Sequence, residues 1–409
     1  MKKIIVIGGG AAGMFAAGVA AEHGAKVTLL ERNGTLGKKL LITGKGRCNL
    51  TNNCDVSEVL SNIPVGSRFL YSAINGFTPS DVMSFFESLG VRLKTERGSR
   101  VFPESDKASD IVNALRLYMG KNDVKIHNER AVKLLIENDN IIGVKTSRSE
   151  YTCDCVILAT GGMSYPLTGS TGDGYEIARK VGHRVTSLKG SLVPLNAEPE
   201  VCERMQGLAL KNVQLKVFDG SKKPIYEDFG ELLFTHFGIS GPIALSASAH
   251  MRDFGSKKYY VTIDLKPGLD EETLDKRVLR DFERFSNRDF INGLDELLPR
   301  LMIPVIAEKS GIPSDLKIHS ISRQQRFDLI RLLKSFRIDI DSKRPIDEAI
   351  ITSGGIDLLE INPKTMESKV VKELFFAGEI IDADAYTGGF NLQIAWSTGH
   401  AAALGAVTT

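Results

Sequence analysis

Lys3-Ile-Ile-Val-Ile-Gly8-Gly9-Gly10-Ala11-Ala12-Gly13 and, one helix length later, Lys26-Val-Thr-Leu-Leu-Glu31 form the stretch whose reading decides the fold. An apolar run enters a G-x-G-x-x-G turn, a small-residue segment follows, and a second apolar run ends on an acid. Each part has a physical role in a strand-helix-strand unit that takes a dinucleotide. Gly8 permits the tight turn, Gly10 lets a pyrophosphate approach the backbone, and Gly13 lets the helix lie close to the sheet. The helix start offers unpaired N–H groups and about half a positive charge, which suits a phosphate. Glu31 stands 18 residues beyond Gly13, where a carboxylate accepts hydrogen bonds from an adenosine ribose. Glycine-rich turns alone are common; the strand before, the helix after and the acid beyond make dinucleotide binding the stronger reading.

Working outward, 409 residues exceed one simple core and predict two or three domains. A hydrophobic content of 42% with 25% charged residues describes an ordinary globular chain. The net charge of +2 gives no reason to expect a nucleic-acid polyanion, although a local basic face stays open. Five cysteines (Cys48, Cys54, Cys153, Cys155, Cys202) are odd in number and lack zinc spacing. Neither a disulfide framework nor a metal site is expected, and the reducing cytoplasm is the expected compartment. The N-terminal apolar run is broken by glycines and continues into Glu22-His23 and a second strand, so it reads as fold rather than signal peptide. No stretch reaches the roughly 18 to 20 uninterrupted apolar residues of a membrane span.

After Glu31 the glycines and small polar groups of residues 33–53 predict an ordered loop without helix or strand, placed to run along an extended cofactor. Residues 57–120 read as helical with one hairpin. Ser80 is the expected N-cap of a helix over 81–89, residues 91–95 pair with 99–102, and 107–119 show one helical face. Strands follow at 124–127, 131–137 and 141–146, the last two turned by Asn138-Asp139-Asn140. Residues 151–159 read as one buried strand running into Ala159-Thr160-Gly161-Gly162, and Thr171-Gly172-Asp173-Gly174 opens a helix whose start is a second candidate anion seat. From 185 to about 264 short alternating strands predict a small β-rich domain. In it, Leu232-Leu-Phe-Thr235-His236-Phe-Gly238-Ile-Ser240-Gly241-Pro242 reads as a strand-to-helix junction. Residues 270–336 read as helical, with a capping box at Ser322-Arg-Gln-Gln325, and strands return at 336–340 and 346–352. Finally Ala377-Gly378-Glu379-Ile-Ile-Asp382 breaks a buried strand, and Thr387-Gly388-Gly389-Phe390-Asn391-Leu392-Gln393 opens a terminal helix, a third helix start directed at one ligand.

The fingerprint, Ala159-Thr160-Gly161 and Gly378-Glu379 with Asp382 together resemble the two-dinucleotide-binding-domain flavoprotein superfamily. More specifically, Gly44-Lys-Gly-Arg-Cys-Asn-Leu-Thr-Asn52, Leu233-Phe-Thr-His-Phe-Gly-Ile-Ser-Gly-Pro242, Thr352-Ser-Gly-Gly355, Met366-Glu-Ser-Lys369 and Thr387-Gly-Gly-Phe-Asn-Leu-Gln393 are similar to the BaiN/RdsA family, which includes aminoacetone oxidase. The resemblance spans the whole chain. It implies an α/β architecture: a Rossmann-like FAD-binding domain of glutathione reductase type from residues 1–188 and 350–409. A β-barrel-like domain is inserted at 189–268 with return strands at 336–349, and it carries a helical subdomain at 269–335. It implies FAD held by Gly8, Gly10, Ala11, Ala12, Gly13, Glu31, Arg32, Lys39, Gly44, Arg47, Cys48, Asn49, Val132, Ala159, Thr160, Gly161, Gly378, Glu379, Asp382, Gly389, Asn391, Leu392 and Gln393. Glu31 falls on the ribose, the Val132 backbone at the adenine, Gly378 and Asp382 near the diphosphate and ribityl chain, and 391–393 at the flavin pyrimidine.

Family members act on conjugated C=C bonds of steroid-like enones, on an amino ketone, or on uridine in ribosomal RNA, all by hydride exchange at flavin N5. The expected function is an FAD-dependent oxidoreductase: an NAD(P)H-fed reductase of a conjugated C=C in a small molecule. RNA-directed uridine reduction and amino ketone oxidation are the alternatives. No second strand with G-x-G-x-x-G exists, so NAD(P)H is expected to dock transiently at the flavin. His236 is the expected general acid, because a histidine titrates near neutral pH without much tuning. Arg47, Arg100 and Tyr165 are weaker catalytic candidates. Arg323, Arg326, Arg331, Lys334 and Arg337, with Lys343 and Arg344, suit either a solvated helix face or RNA. A disulfide reductase would need a redox pair; Cys48 and Cys54 form C-x5-C, one residue longer than that pattern, without a C-terminal His-x4-Glu. A flavoprotein without catalysis would leave the polar loop and the His236 segment without purpose.

Overall fold

The alternation of side chains along Lys3–Ile7 decides how the first part of the molecule is layered. In the computed structural model, which describes residues 1–409, this strand is the middle of a five-stranded parallel sheet ordered Leu374–Phe376, Cys155–Leu158, Lys3–Ile7, Lys26–Leu30, Lys125–His127. Ile4 and Val6 point into one core and Ile5 and Ile7 into another. A parallel sheet buried on both faces needs such a continuous apolar run. Helices Ala11–Glu22, Ala108–Lys121 and Phe390–Thr408 cover the first face. The second face is covered by an antiparallel sheet of Ala131–Glu137, Asn140–Thr146 and Glu150–Thr152, and by helix Asp173–Lys180. The α/β, Rossmann-type reading therefore holds.

Two compact units make up the chain: Met1–Ser191 with Ile346–Thr409, and Leu192–Pro345. In the second unit six antiparallel strands close into a barrel: Leu195–Ala197, Gly238–Ser240, Tyr226–Thr235, Ala209–Phe218, Tyr259–Asp264 and Phe336–Lys343. Leu195 pairs with both Ile239 and Lys343, which removes the open edge. Helices Glu271–Arg284, Ile303–Ser310 and Arg323–Lys334 enter between the last two of these strands in sequence. Leu274, Val278, Leu329 and Leu333 share one core with the barrel's Val261, Ile263 and Ile338. No helix is long and apolar enough to cross a membrane.

Several local expectations change for identifiable reasons. Within 33–53, Lys38–Ile42 forms a short helix started by Gly37 at φ 69°, and a 3-10 turn follows over Thr43–Gly46. Residues 151–159 are not one strand: Glu150–Thr152 belongs to the antiparallel sheet and Cys155–Leu158 to the parallel one. Asp154 makes the switch between them, its carboxylate accepting the Lys3 N–H at 2.7 Å. Thr78, not Ser80, caps helix Pro79–Ser88, because proline takes the first helical position and Asp81 completes a capping box with Thr78. The capping box at Ser322 and Gln325 stands where expected. So does the 138–140 turn, with Asn138 and Asp139 at φ 50° and 59°. Residues 346–352 give only a 3-10 turn at Ile346–Glu348 and a short strand Ile351–Ser353, which pairs with Lys189–Ser191.

Small residues set how closely the covering helices pack. A Cβ on Gly399 would stand 2.9 Å from the Ala12 carbonyl oxygen, so helices Ala11–Glu22 and Phe390–Thr408 touch backbone to backbone there. Beside that contact Trp396 is fully buried, edge-on to Phe15 and Phe86, with its indole N–H donating to the Leu50 carbonyl at 2.8 Å. This one side chain fastens the 33–53 loop to the terminal helix. Trp396→Phe should lower stability by about 1–3 kcal/mol by orphaning the Leu50 carbonyl. Trp396→Ala should lower it by about 3–5 kcal/mol through the added cavity. Urea unfolding followed by far-UV circular dichroism measures both, and stabilities equal to the unaltered protein would contradict this account.

Candidate functional site

Parallel strands end on the same side, and the crevice beyond their carboxyl ends is where such sheets take ligands. Here that crevice is a cleft in the first unit enclosing about 1380 Å³ of space, its open mouth included. Its walls come from residues 7–12, 30–33, 37–40, 129–131, 159–161, 168–170, 350–351 and 377–379, and from Asn391, Leu392, Ile394 and Ala395 of the terminal helix.

At one end Glu31 is buried with 8% of its surface exposed. Its Oε2 accepts the Gly9 N–H at 2.7 Å, and its Oε1 accepts the Asn33 N–H at 2.7 Å and the Asn33 side-chain amide at 2.8 Å. Three donors leave a carboxylate at least one lone-pair direction, enough for a ribose hydroxyl. The neighbouring turn is shaped by contact. A Cβ on Gly8 (φ 107°) would collide with the Ala159 carbonyl, and one on Gly13 with the Gly8 carbonyl; a Cβ on Gly10 would meet nothing within 4 Å. Gly8 and Gly13 are therefore needed by the fold, whereas Gly10 opens onto the cleft. The helices that begin beside Gly10 and Gly389 have no side-chain cap, so their first N–H groups remain for a ligand. The Thr160 hydroxyl is buried without a partner where it lines the cleft. An unsatisfied hydroxyl, an open glycine and two uncapped helix starts fit an extended dinucleotide with a diphosphate.

Of the sequence-predicted residues, Gly8, Gly10, Ala11, Ala12, Glu31, Arg32, Lys39, Ala159, Thr160, Gly161, Gly378, Glu379, Asn391 and Leu392 line this cleft together. Lys39 is ion-paired with Glu379 and donates to the Ser164 hydroxyl at 2.8 Å, while the other Glu379 oxygen accepts from Ser164 at 3.0 Å and the Thr352 N–H at 2.8 Å. The Asn391 amide is engaged with the Ala385 N–H and with the carbonyls of Ala385 and Tyr386, fixing the loop before the terminal helix.

Other candidates lie elsewhere. Gly13 packs behind the turn, Val132 is a neighbour of the lining residue Ala131, and Asp382 precedes the lining residue Ala383. Gly389 caps the terminal helix in contact with Thr51. The Gln393 side chain turns inward, accepting from Thr51 at 2.6 Å and donating to the Phe77 carbonyl and Ser397, each at 2.9 Å. Gly44, Arg47, Cys48 and Asn49 are not in the cleft wall. Arg47 fails as a cleft cation because Glu96 and Asp106 both bind its guanidinium, which lies 4.2 Å over the Phe102 ring. Arg100 is drawn toward the same ring, and its Nε–H donates to the Arg97 carbonyl at 3.0 Å. Tyr165 is half-buried with a left-handed backbone (φ 54°), its ring 5.9 Å from the Lys39 ammonium.

Burial pushes the thiols of Cys48 and Cys54 up to about 12, so neither is a thiolate at neutral pH and a redox pair lacks its nucleophile. His236 sits in the second unit at the tip of the hairpin joining Tyr226–Thr235 to Gly238–Ser240, not at a strand-to-helix junction. It is exposed, with its ring edge-on to Phe237 at 5.0 Å. The start of helix Asp173–Lys180 also lacks a side-chain cap, and beside it the Asp173 carboxylate binds Arg32 and Arg130. Sequence reasoning missed Arg130, Asp173 and Ser164 as members of this constellation. The Thr171-Gly-Asp signal was there for Asp173, but its partners lie too far along the chain for any spacing rule.

The HI0933-like protein Rossmann domain model matches residues 2–405. The chain is 31% identical to the 3-dehydro-bile acid delta(4,6)-reductase of Clostridium scindens, over 98% of each protein. It is 30% identical to the ribosomal RNA dihydrouridine synthase of Escherichia coli, over 98% of this chain and 96% of that one. Among solved structures, the 3-ketosteroid-delta4-(5alpha)-dehydrogenase of Rhodococcus jostii shares the fold with a TM-score of 0.51 at 15% identity, over 98% of this chain and 97% of that one. With the cleft geometry, these findings establish that the chain belongs to the HI0933-like (BaiN/RdsA) family of FAD-dependent oxidoreductases.

Proposed function

We propose that this protein is an FAD-dependent reductase that delivers hydride to a conjugated C=C bond of a small-molecule acceptor and is recharged by NAD(P)H. The observation that carries the reading is the cleft itself, which joins the buried acid Glu31, the open turn at Gly10 and the uncapped start of the terminal helix in one wall. Bound FAD supplies hydride chemistry at its N5. What the chain contributes is placement and charge. Glu31 would hold the ribose, Gly10 and the N–H groups of 11–13 would hold the diphosphate, and the N–H groups at 390–392 would serve the flavin. Such preorganised dipoles stabilise negative charge that develops on reduction. The Lys39–Glu379 pair keeps a cation in the wall without a large uncompensated charge.

With one nucleotide fingerprint in the sequence, donor and acceptor take turns at the flavin. His236, exposed in the second unit, is the proton donor in this proposal. The E. coli relative supports a second reading, uridine in ribosomal RNA as the C=C acceptor. Against it, the basic face after Ser322 is largely neutralised within its own unit. Arg326 pairs with Asp275, Lys334 with Asp264, Arg337 with Asp339 and Arg331 with Asp328. That leaves little charge on this helix for phosphates.

The protein should purify yellow, and Gly10→Glu should abolish FAD binding while leaving the fold intact, because the site is sterically open. Retention of FAD by that variant would remove the cofactor site from this cleft. Glu31→Gln should weaken FAD by about tenfold or more, since neutral acceptors bind such donors less tightly than carboxylates; an unchanged affinity would contradict the ribose assignment.

Enzyme reduced anaerobically and mixed with a conjugated enone should reoxidise faster than with oxygen, and His236→Gln should slow that step without loss of FAD. Rapid oxygen consumption with an amino ketone, and none of this enone reoxidation, would refute the reductase. Turnover on ribosomal RNA that falls steeply with added salt would favour the second reading, because phosphate contacts release counterions.

A further inference from the structure

Arg32, Arg130 and Asp173 come from three remote segments and meet in the cleft wall beside Glu31. Arg32 follows strand Lys26–Leu30, Arg130 precedes strand Ala131–Glu137, and Asp173 opens helix Asp173–Lys180. Asp173 accepts a bidentate pair of hydrogen bonds from Arg130, Nε to Oδ2 at 2.6 Å and Nη2 to Oδ1 at 2.9 Å. Its Oδ2 also accepts from Arg32 Nη1 at 3.0 Å, and its Oδ1 from Thr171 at 3.0 Å. Arg32 Nη1 donates in addition to the Thr171 hydroxyl at 2.6 Å.

The acid is the better covered partner, with 21% of its side chain exposed against 33% for Arg32 and 56% for Arg130. Exposed ion pairs stabilise a fold by only about 0–1 kcal/mol. Two arginines converging on one carboxylate, Arg130 in planar two-point geometry and Arg32 through one bond, are therefore better explained by what they do to a ligand than by fold stability. Glu31 marks the ribose position, so the bridge stands at the adenosine end. Resting on the FAD reading above, we propose that Arg32, Asp173 and Arg130 form a clasp across the adenosine end of the cleft, which retains bound FAD and opens for cofactor exchange. They are positioning residues, remote from the hydride chemistry.

FAD release tests this, followed by the rise in flavin fluorescence after dilution of the holoprotein into excess phosphodiesterase, which cleaves released FAD to the more fluorescent FMN. Asp173→Asn and, as a second and more exposed lesion, Arg130→Gln should each release FAD about tenfold faster, equivalent to roughly 1.4 kcal/mol. Asp173→Glu should return the rate toward that of the unaltered protein. Added salt should speed release from the unaltered protein and have less effect on Asp173→Asn, because the bridge it screens is already broken.

Release rates within about twofold of the unaltered protein, or an unchanged salt response, overturn the clasp. A lowered unfolding midpoint of the apoprotein with unaltered FAD release assigns the bridge to the fold alone and overturns it too. If the unaltered protein takes up no FAD, the cofactor reading itself falls; if it binds FAD and the variants release it normally, only the clasp does.

Discussion

The turn at residues 8–13 lies against the end of strand Cys155–Leu158 so closely that the Ala159 carbonyl occupies the space a Gly8 side chain would need. The rest of the first unit follows from that contact. Because the turn cannot move away, the helix beginning at Ala11 aims its uncapped start into the crevice beyond the strands. Because that helix meets the terminal helix backbone to backbone at Ala12 and Gly399, the second uncapped start is drawn into the same crevice. Close packing rather than any single polar bond thus creates the cleft, and this accounts for the density of glycine and alanine in both helices.

Polar groups then define what the cleft accepts. Charges that face it are arranged in compensated sets: Glu31 with backbone and amide donors, Lys39 with Glu379 and Ser164, Arg32 and Arg130 with Asp173. Compensation matters in a partly dry wall, where an unpaired charge is expensive to bury. It also leaves the helix starts as the prominent unpaired donors, which suits a ligand carrying two phosphates and an electron-accepting ring. Arg47 shows the opposite arrangement. Two carboxylates and an aromatic ring hold it out of the wall, so its charge serves the 33–53 loop rather than the ligand.

Much of this was legible in the sequence wherever the signal is local. The fingerprint, the position of Glu31, the parallel-sheet strands, the capping box at Ser322 and the 138–140 turn each depend on residues within one element or one turn. The illegible parts share a different cause. Asp154 moves the chain from one sheet to another within two residues, which a continuous apolar pattern conceals. The hairpin at His236 looks like a strand entering a helix, because Pro242 does start a helix but only after three more residues have paired as a strand. Arg47 looked like a ligand-facing cation because its acids, Glu96 and Asp106, sit some fifty residues away in sequence. Arg130 and Asp173 escaped notice for the same reason.

The central claim is that this cleft is built for a whole dinucleotide, with recognition at its adenosine end as well as at the flavin. Titrating the apoprotein calorimetrically with FAD, FMN and riboflavin tests that most directly. The account predicts one FAD per chain and binding of FMN and riboflavin weaker by about a hundredfold or more, because each lacks the adenosine proposed for the Glu31 end of the cleft. FMN affinity equal to that of FAD would contradict it.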